Sequence, residues 1–193
     1  MMQKKPRQYE EYAYVLDYLP EERKITRGRI RYSPIVQAIG ASYFTLLELI
    51  AKPNVPISLE ERVYIGKGYR DKIAHVKGKL SYSELTSTAK SELPHVLEII
   101  VKNKERYFVN FFNKAGPITP RLHALELLPG VGKKTMWEII EERKRKPFES
   151  FEDISNRVSI PNVIKLLAKR IEQELIGGEK YYLFVRRSTE GNR

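Results

Sequence analysis

The chain has 193 residues, enough for one domain or two small ones with a real core. Its formal charge of +11 and isoelectric point near 9.7 favour a polyanionic partner. It has no cysteine, which excludes disulfides, thiolate zinc sites and iron–sulfur clusters. The polar start, Met1-Met2-Gln3-Lys4-Lys5-Pro6, and the lack of a long apolar run or amphipathic anchor point away from secretion and membranes, towards the cytoplasm.

Residues 8–82 read as strands. Tyr12, Tyr14, Leu16 and Tyr18 alternate with Ala13, Val15, Asp17 and Leu19, the two faces of one strand. Apolar stretches follow at Ile35–Ile39, Tyr43–Ile50 and Val63–Ile65, bounded by Gly40, Pro53-Asn54, Gly66 and Gly68, and a further strand fits Lys72–Leu80. Ser58-Leu59-Glu60-Glu61 has the form of a capping box and predicts a short helical turn between strands. Five short strands so broken predict a small closed barrel of the OB or SH3-like kind, in an order the pattern does not encode.

Two basic clusters lie in this region. Residues 23–31 hold Arg23, Lys24, Arg27, Arg29 and Arg31 with no acid among them. On a strand, Arg27, Arg29 and Arg31 share one face. Residues 62–79 hold Arg62, Lys67, Arg70, Lys72, Lys77 and Lys79 against a single Asp71. Tyr32, Tyr64 and Tyr69 are interleaved with these clusters. Cations beside flat rings suit single-stranded nucleic acid, charge for phosphates and rings for bases. Alternation leaves open which face points outward, so the tyrosines equally fit a core beneath a solvated charged face.

Helices follow. Ser81 caps a short one with Glu84 as its box partner. Pro94 starts a long one to about Lys114, a rigid link whose buried stripe is Leu97, Ile100, Val101, Phe108, Phe111 and Phe112, and which Gly116-Pro117 stops. The phenylalanines read as packing. Thr119-Pro120, as N-cap and first helical residue, opens the next helix, with Leu122, Leu125 and Leu128 in its period.

That helix stops at Leu127-Leu128-Pro129-Gly130-Val131-Gly132-Lys133-Lys134, and a second, carrying Met136, Ile139 and Ile140, starts after Gly132. Two glycines flanking a valine predict a tight turn at positive φ, with the valine plugging the gap between helices. The second helix then opens with free N–H groups beside Lys133, Lys134 and Thr135, an anion site for a phosphate. The alternative is a plain helical hairpin whose glycines only make the turn. Residue by residue, Leu-Pro-Gly-Val-Gly-Lys-Lys-Thr resembles the hairpin of the helix-hairpin-helix family of nucleic-acid backbone binders.

Further on, the tail Arg143-Lys144-Arg145-Lys146 is offset by Glu138, Glu141 and Glu142 at helical spacing and reads as an ion-paired exposed face. Ser150 with Asp153 predicts a capping box, Ser159-Ile160-Pro161-Asn162 a turn, and Ile164, Leu167, Ile171 and Leu175 one face of a last helix ended by Gly177-Gly178. The resemblance implies that this is the degenerate second hairpin of a tandem domain, which binds no phosphate. Lys180-Tyr181-Tyr182-Leu183-Phe184-Val185-Arg186 is a strand by composition, with no other strand near it in sequence. An isolated strand cannot satisfy its backbone, so it is expected to return to an edge of the N-terminal barrel. Residues 188–193 read as disordered.

Enzymatic signals are thin. His75, His95 and His123 lie in three different elements without paired-ligand spacing, so neither a metal nor any other cofactor is expected. No nucleophile elbow, Walker loop or dinucleotide fingerprint is present. The hairpin also resembles that of DNA glycosylases that cleave the backbone, whose Schiff-base lysine would fall at Lys134, with an aspartate near the position of Asp153. Those enzymes need a second helical lobe for the flipped base, for which the chain after Lys134 has no room. Asp153 is explained as a capping residue.

Taken whole, the chain resembles an archaeal family of uncharacterised proteins with a basic barrel, a helical link, a tandem helix-hairpin-helix domain and a terminal strand. Gly130-Val131-Gly132-Lys133-Lys134-Thr135-Met136-Trp137 running into Pro147-Phe148-Glu149-Ser150-Phe151 carries that resemblance. It implies RNA binding linked to translation or ribosome maturation. The expectation is thus an α+β chain: barrel 1–82, helical linker 83–115, tandem domain 116–177, and strand with tail 178–193. Its function is non-catalytic nucleic-acid binding as a monomer, RNA ahead of DNA, with ribosomal or ribonucleoprotein partners. The binding residues would be Arg27, Arg29, Arg31, Lys67, Arg70, Lys72, Lys77 and Lys79 with Gly130 to Thr135. A DNA glycosylase or lyase, and a protein-interaction adaptor whose basic faces are incidental, are the alternatives.

Overall fold

The computed structural model describes residues 9–26 and 29–186, and all of their side chains except those of residues 21–32. The chain forms two compact units, divided between Leu93 and Pro94. Arg27 and the tail 188–193 lie outside the described residues, as do the side chains of Arg29, Arg31 and Tyr32.

The first unit is an antiparallel sheet of five strands: β1 (Tyr12–Thr26), β2 (Arg29–Gly40), β3 (Leu46–Ala51), β4 (Arg62–Tyr64) and β5 (Ile73–Lys79). Each predicted strand has its counterpart. Their order is β4-β1-β2-β3-β5, and the sheet curls into a half-barrel rather than the closed barrel expected. Residues 52–61 form turns, and β4 has only three residues. So short an edge leaves β4 unpaired with β5.

One face of the sheet carries the core of Ala13, Val15, Val36, Ala38, Leu47, Leu49, Ala51, Val63, Ile65 and Ile73. Periodicity alone predicts Leu16 opposite Val15, but a bulge between Val15 and Asp17 resets the register and brings Asp17 opposite Gln37. Both are buried, and both are satisfied. Asp17 accepts from the Thr86 hydroxyl at 2.6 Å, and Gln37 bridges the Glu84 carbonyl (3.0 Å) and the Thr86 amide (2.9 Å). Thr86 in turn takes the Ala89 amide at 3.0 Å and so starts α1 (Ser87–Asn103). The predicted Ser81–Glu84 capping box is present just upstream.

The helix therefore begins seven residues before Pro94, which was expected to open it. Pro94 stands on its exposed side, where water can serve the carbonyl that the missing N–H abandons. Nor is the linker one helix: Lys104, at φ −111° and ψ 27°, separates α1 from α2 (Glu105–Lys114). No proline or glycine stands at that break. Beside it, the Glu105 carboxylate takes the Phe151 amide at 2.7 Å, a distant contact that helical periodicity cannot announce.

The second unit contains a two-stranded ribbon, β6 (Pro117–Thr119) with β7 (Leu122–His123), a 3-10 turn (Ala124–Leu127), and helices α3 (Lys133–Arg145), α4 (Phe151–Arg157) and α5 (Val163–Ile176). The helix expected from Thr119-Pro120 is absent, because Thr119 ends β6 and Pro120 turns with Arg121 into β7. A capping box on His123 and Glu126 starts only four helical residues. The tandem helix-hairpin-helix form expected from the sequence is thus lacking its first full helix.

Later elements keep closer to expectation. Ser150 caps α4 and Asn162 caps α5, while Gly177, at φ 92°, ends α5. The basic tail of α3 pairs Lys144 with Glu141 and Arg145 with Glu142.

Residues 180–186 are not a strand. The amides of Leu183, Phe184 and Val185 donate to the buried Glu174 carboxylate at 2.7, 2.9 and 2.8 Å. Arg170, also buried, binds Glu174 at 2.9 Å and the Tyr181 carbonyl at 2.6 Å. One carboxylate and one guanidinium thus replace a neighbouring strand as backbone partners. Phe184 lies edge-on to Phe108 and Phe111, with centroids 5.2 and 5.0 Å away, so the phenylalanine cluster is packing.

Candidate nucleic-acid interface

Among the described residues, two places gather cations without carboxylate partners. The first is in the half-barrel. Because β4 and β5 are the two edges of the sheet, the gap between them is open, and a groove of about 770 Å³ lies there. Leu47 and Ile65, both buried, and the more exposed Val76 form apolar lining; Tyr9 and Tyr64 supply rings; Lys67, Arg70 and Lys79 supply positive charge, against Glu10 and the exposed Glu11 in the same lining. The backbone of Gly78 also lines it, while its ladder partner Glu48 puts the Cβ position of Gly78 on the face opposite Leu47.

Tyr9 is held in place by its neighbour. The Glu10 carboxylate, 9% exposed, accepts the amides of Ser42 and Tyr43 at 2.8 Å each and of Thr45 at 3.3 Å. A Cβ at Gly40 would sit 2.1 Å from that carboxylate, so Gly40 provides the space it occupies. The following carbonyl, of Glu11, takes the Ile65 and Gly66 amides at 2.8 and 3.1 Å, which joins residues 9–11 to the β4 edge.

The groove sorts the predicted cations. Lys67 stands 5.7 Å from the Tyr9 ring centroid, and neither it nor Lys79 has a carboxylate partner among the described residues. Arg70 donates through Nε to the Gly66 carbonyl at 2.7 Å, which fixes its head at the groove. Lys72 is elsewhere, paired with Glu61 at 2.5 Å and with the Pro56 carbonyl at 3.0 Å, and Lys77 is paired with Glu48 at 2.6 Å. Of the other cluster, only register is described: Arg29 stands opposite Thr26, and Arg31 opposite Lys24, in the β1–β2 ladder. Tyr64 uses its hydroxyl to take the Gly68 amide at 3.1 Å and packs edge-on to Tyr12; Tyr69 is exposed, with Lys52 4.7 Å above its ring. Tyr9 and Gly78 were not foreseen, though a glycine inside a strand pattern is a signal of a bulge, and a register shift lies between Gly78 and Val76.

The second place is the amino end of α3. Leu128-Pro129-Gly130-Val131 forms a turn closed by the Val131 amide on the Leu128 carbonyl at 3.0 Å. Gly130 has φ +78°, and with proline before it this is a type II turn. Leu128, Val131, Met136 and Ile139 are buried beneath it. Gly132, expected at positive φ, is extended at φ −89° and ψ −176°. It stands as the helix N-cap, a position any residue could adopt.

No side chain caps α3 and no acid lies in its first turn. The first amide to bond within the helix is that of Met136, to the Gly132 carbonyl at 2.9 Å. The amides of Lys133, Lys134 and Thr135 precede it and have no helical acceptor. Lys133 and Lys134 are exposed at the positive end of the dipole, where cations oppose the helix and an anion would relieve the conflict. Exposed Trp137 follows one turn after Lys133. Asp153 is engaged elsewhere, by the Glu149 amide and by Arg157 at 3.1 and 3.0 Å.

Just upstream, the His123 Nδ1 accepts the Leu125 amide at 3.1 Å and so must be unprotonated. Burial, and then the nearby Arg143, hold its pKa below the ordinary histidine value, against an opposing pull from Glu126. Among the described residues no group of three or more His, Asp or Glu could hold a metal ion. No helix among them is long and apolar enough to cross a membrane.

Residues 9–186 match the family described as protein of unknown function (DUF655). The uncharacterized protein MJ0038 of Methanocaldococcus jannaschii is 54% identical over 184 residues, covering 94% of this chain and 82% of that protein. The crystal structure of Af1531 from Archaeoglobus fulgidus, which bears the same family name, is 49% identical and superimposes with a TM-score of 0.83, covering 92% of this chain and 100% of that one. With a match this long and relatives this similar in sequence and fold, the chain belongs to the DUF655 family.

Proposed function

We propose that this protein is a non-catalytic nucleic-acid-binding protein, acting on RNA ahead of DNA, that holds the phosphate backbone at the groove of the half-barrel and at the amino end of α3. The observation that carries the reading is the convergence of Lys67, Arg70 and Lys79 on one groove beside Tyr9 and Tyr64, with both lysines free of carboxylates among the described residues. Unpaired cations beside rings suit a polyanion of flat units better than they suit a protein surface. The uncapped, lysine-flanked start of α3 supports it as a second phosphate contact in the manner of a helix-hairpin-helix. A role in translation or ribosome maturation, beside ribonucleoprotein partners, is what the resemblance to the archaeal family implies, and it belongs to this proposal.

Fluorescence anisotropy with labelled RNA and DNA oligomers over a salt series tests the proposal. Affinity should fall steeply, with a log–log slope of about −0.7 per neutralised phosphate on a single strand. No binding at low salt, or a flat response, would overturn the reading in favour of a protein-interaction adaptor. In this reading Lys134 is a phosphate contact. Incubation with abasic duplex DNA and borohydride should therefore trap no covalent adduct, whereas an adduct lost in Lys134→Ala would establish the lyase instead.

A further inference from the structure

We infer that the loop joining β4 to β5, residues 65–72, is a preformed mount on which Tyr69 stacks one unpaired nucleobase, while Arg70 and Lys67 of the same loop take the neighbouring phosphates. The inference rests on the nucleic-acid reading above and narrows its ligand to single-stranded or looped RNA.

The loop has no regular structure, yet its backbone is pinned along its length. At its start the Glu11 carbonyl takes the Ile65 and Gly66 amides. In the middle the Tyr64 hydroxyl takes the Gly68 amide. The chain lies so close on that ring that a Cβ at Gly66 would sit 2.5 Å from the hydroxyl oxygen, and one at Gly68 3.1 Å from it. Arg70 closes through Nε onto the Gly66 carbonyl, and Lys52 through Nζ onto the Arg70 carbonyl. At the end the Lys52 amide donates to the Lys72 carbonyl at 2.8 Å. Asp71, the acid of the loop, turns its carboxylate onto the Lys72 amide at 2.9 Å.

Tyr69 is the one large side chain this frame leaves unused. It is 84% exposed, more than any other large hydrophobic side chain among the described residues. The Lys52 ammonium stands 4.7 Å from its ring centroid and orients the ring from one side, which leaves the other face to solvent. A tyrosine that buries so little adds little to the fold. Carried on a fixed backbone, its open face can receive a flat ligand with little further ordering. The surrounding charge says which flat ligand. Arg70 and Lys67 lie in the groove lining and Tyr69 outside it, so a strand with one base on Tyr69 delivers its phosphates to those two cations. Within a duplex both faces of a base are already stacked, so only an unpaired base can lie on the ring.

The decisive variant is Tyr69→Ala, at a position too exposed for its loss to unfold the sheet. Parent and variant would be titrated with oligo-uridine, with an RNA duplex of equal length, and with an oligomer of abasic ribose phosphates. Tyr69→Ala should lose about tenfold or more on oligo-uridine, the value of one base–ring stack. Its affinity for the duplex and the abasic oligomer, its salt slope and its melting temperature should stay at the parent values. Tyr69→Phe, which keeps the ring and drops the hydroxyl, should bind all three as the parent does. Unchanged binding of oligo-uridine by Tyr69→Ala, an equal loss on the abasic oligomer, or a Tyr69→Phe as weak as Tyr69→Ala would each overturn the stacking role. In those cases Lys67→Ala with Lys79→Ala would still lower the salt slope if the phosphate reading holds. A parent that binds none of the three at low salt sinks both.

Discussion

The groove of the half-barrel and the amino end of α3 offer charge to a polyanion by different means. The groove gathers side chains from four separated stretches, residues 9–11, 45–47, 64–70 and 76–79, and its cations are side-chain heads beside an apolar bed. The end of α3 is eight contiguous residues, and what it presents is backbone: three amides without helical acceptors, placed by one turn at Gly130. A side-chain site can lose its charge without touching the fold. A backbone site can lose its function only through conformation or by being capped. The two should therefore respond to substitution in opposite ways, which makes the distinction testable.

The largest effect should come from Lys67→Ala combined with Lys79→Ala. Neither head has a carboxylate partner among the described residues, so affinity for single-stranded RNA should fall about tenfold per lysine, as expected for a charged hydrogen bond. The salt slope should shrink by about 0.7 per lost phosphate, and the melting curve should not move. An unchanged slope would remove the groove from the interface.

Gly132→Asp should come next, and it separates backbone from side chain. The extended conformation at Gly132 suits an aspartate N-cap, whose carboxylate would take the free amides and satisfy the dipole. The melting temperature should rise while RNA affinity falls, because the phosphate position is now occupied by a negative charge. Threonine, by contrast, should be tolerated there despite its β-branch, since no positive φ is imposed and it caps about as well as glycine. If Gly132→Asp stabilises the helix yet binds RNA normally, the Gly130 turn is only a turn.

A smaller effect of the same sign is expected from Lys133→Ala with Lys134→Ala. Removing two cations from the positive end of α3 should stabilise the helix by about 0.3–1 kcal/mol each at low ionic strength, seen as a higher melting temperature. Affinity should nevertheless drop. The groove lysines offer no such gain, so a stability increase confined to the α3 pair would confirm that this end is held in electrostatic conflict in the absence of an anion.

The smallest effect is a pH dependence that only the α3 side should show, since no histidine lines the groove. His123 has its folded pKa lowered below 6.5, so the unfolded chain binds the proton more readily. By linkage its contribution is present above the unfolded pKa and is lost as pH falls from about 6.5 towards the folded value. Protonation also takes away the acceptor for the Leu125 amide, four residues before Pro129. Thermal melts of the parent and His123→Gln across about pH 5 to 8 should converge at the acidic end. Parallel curves would show that His123 does not titrate into the turn.

The same contrast explains how much could be read in advance. The α3 turn was legible because its determinants are contiguous: proline, glycine at positive φ, a buried valine and two lysines in one run. The five strands were legible from alternation, but the groove was not, because it depends on β4 and β5 being the sheet edges, and order is a long-range property. Hence Lys67, Arg70 and Lys79 could not be told from Lys72 and Lys77, which carboxylates occupy. Thr119-Pro120 fits a helix start and a strand-to-strand turn equally well, and only the ribbon decides between them. Residues 180–186 carry strand composition, but Glu174 reads in sequence as an ordinary helix-surface acid, and nothing local reveals that it is buried with three amides on it.

Gly40 and Glu10 share one volume of space, so a side chain gained at one is felt at the other. A side chain at position 40 would evict the carboxylate and strand three turn amides, while loss of the carboxylate would make the missing side chain at 40 pointless. Selection can thus see the two positions only as a pair. Among relatives, a change at one is expected together with a change at the other.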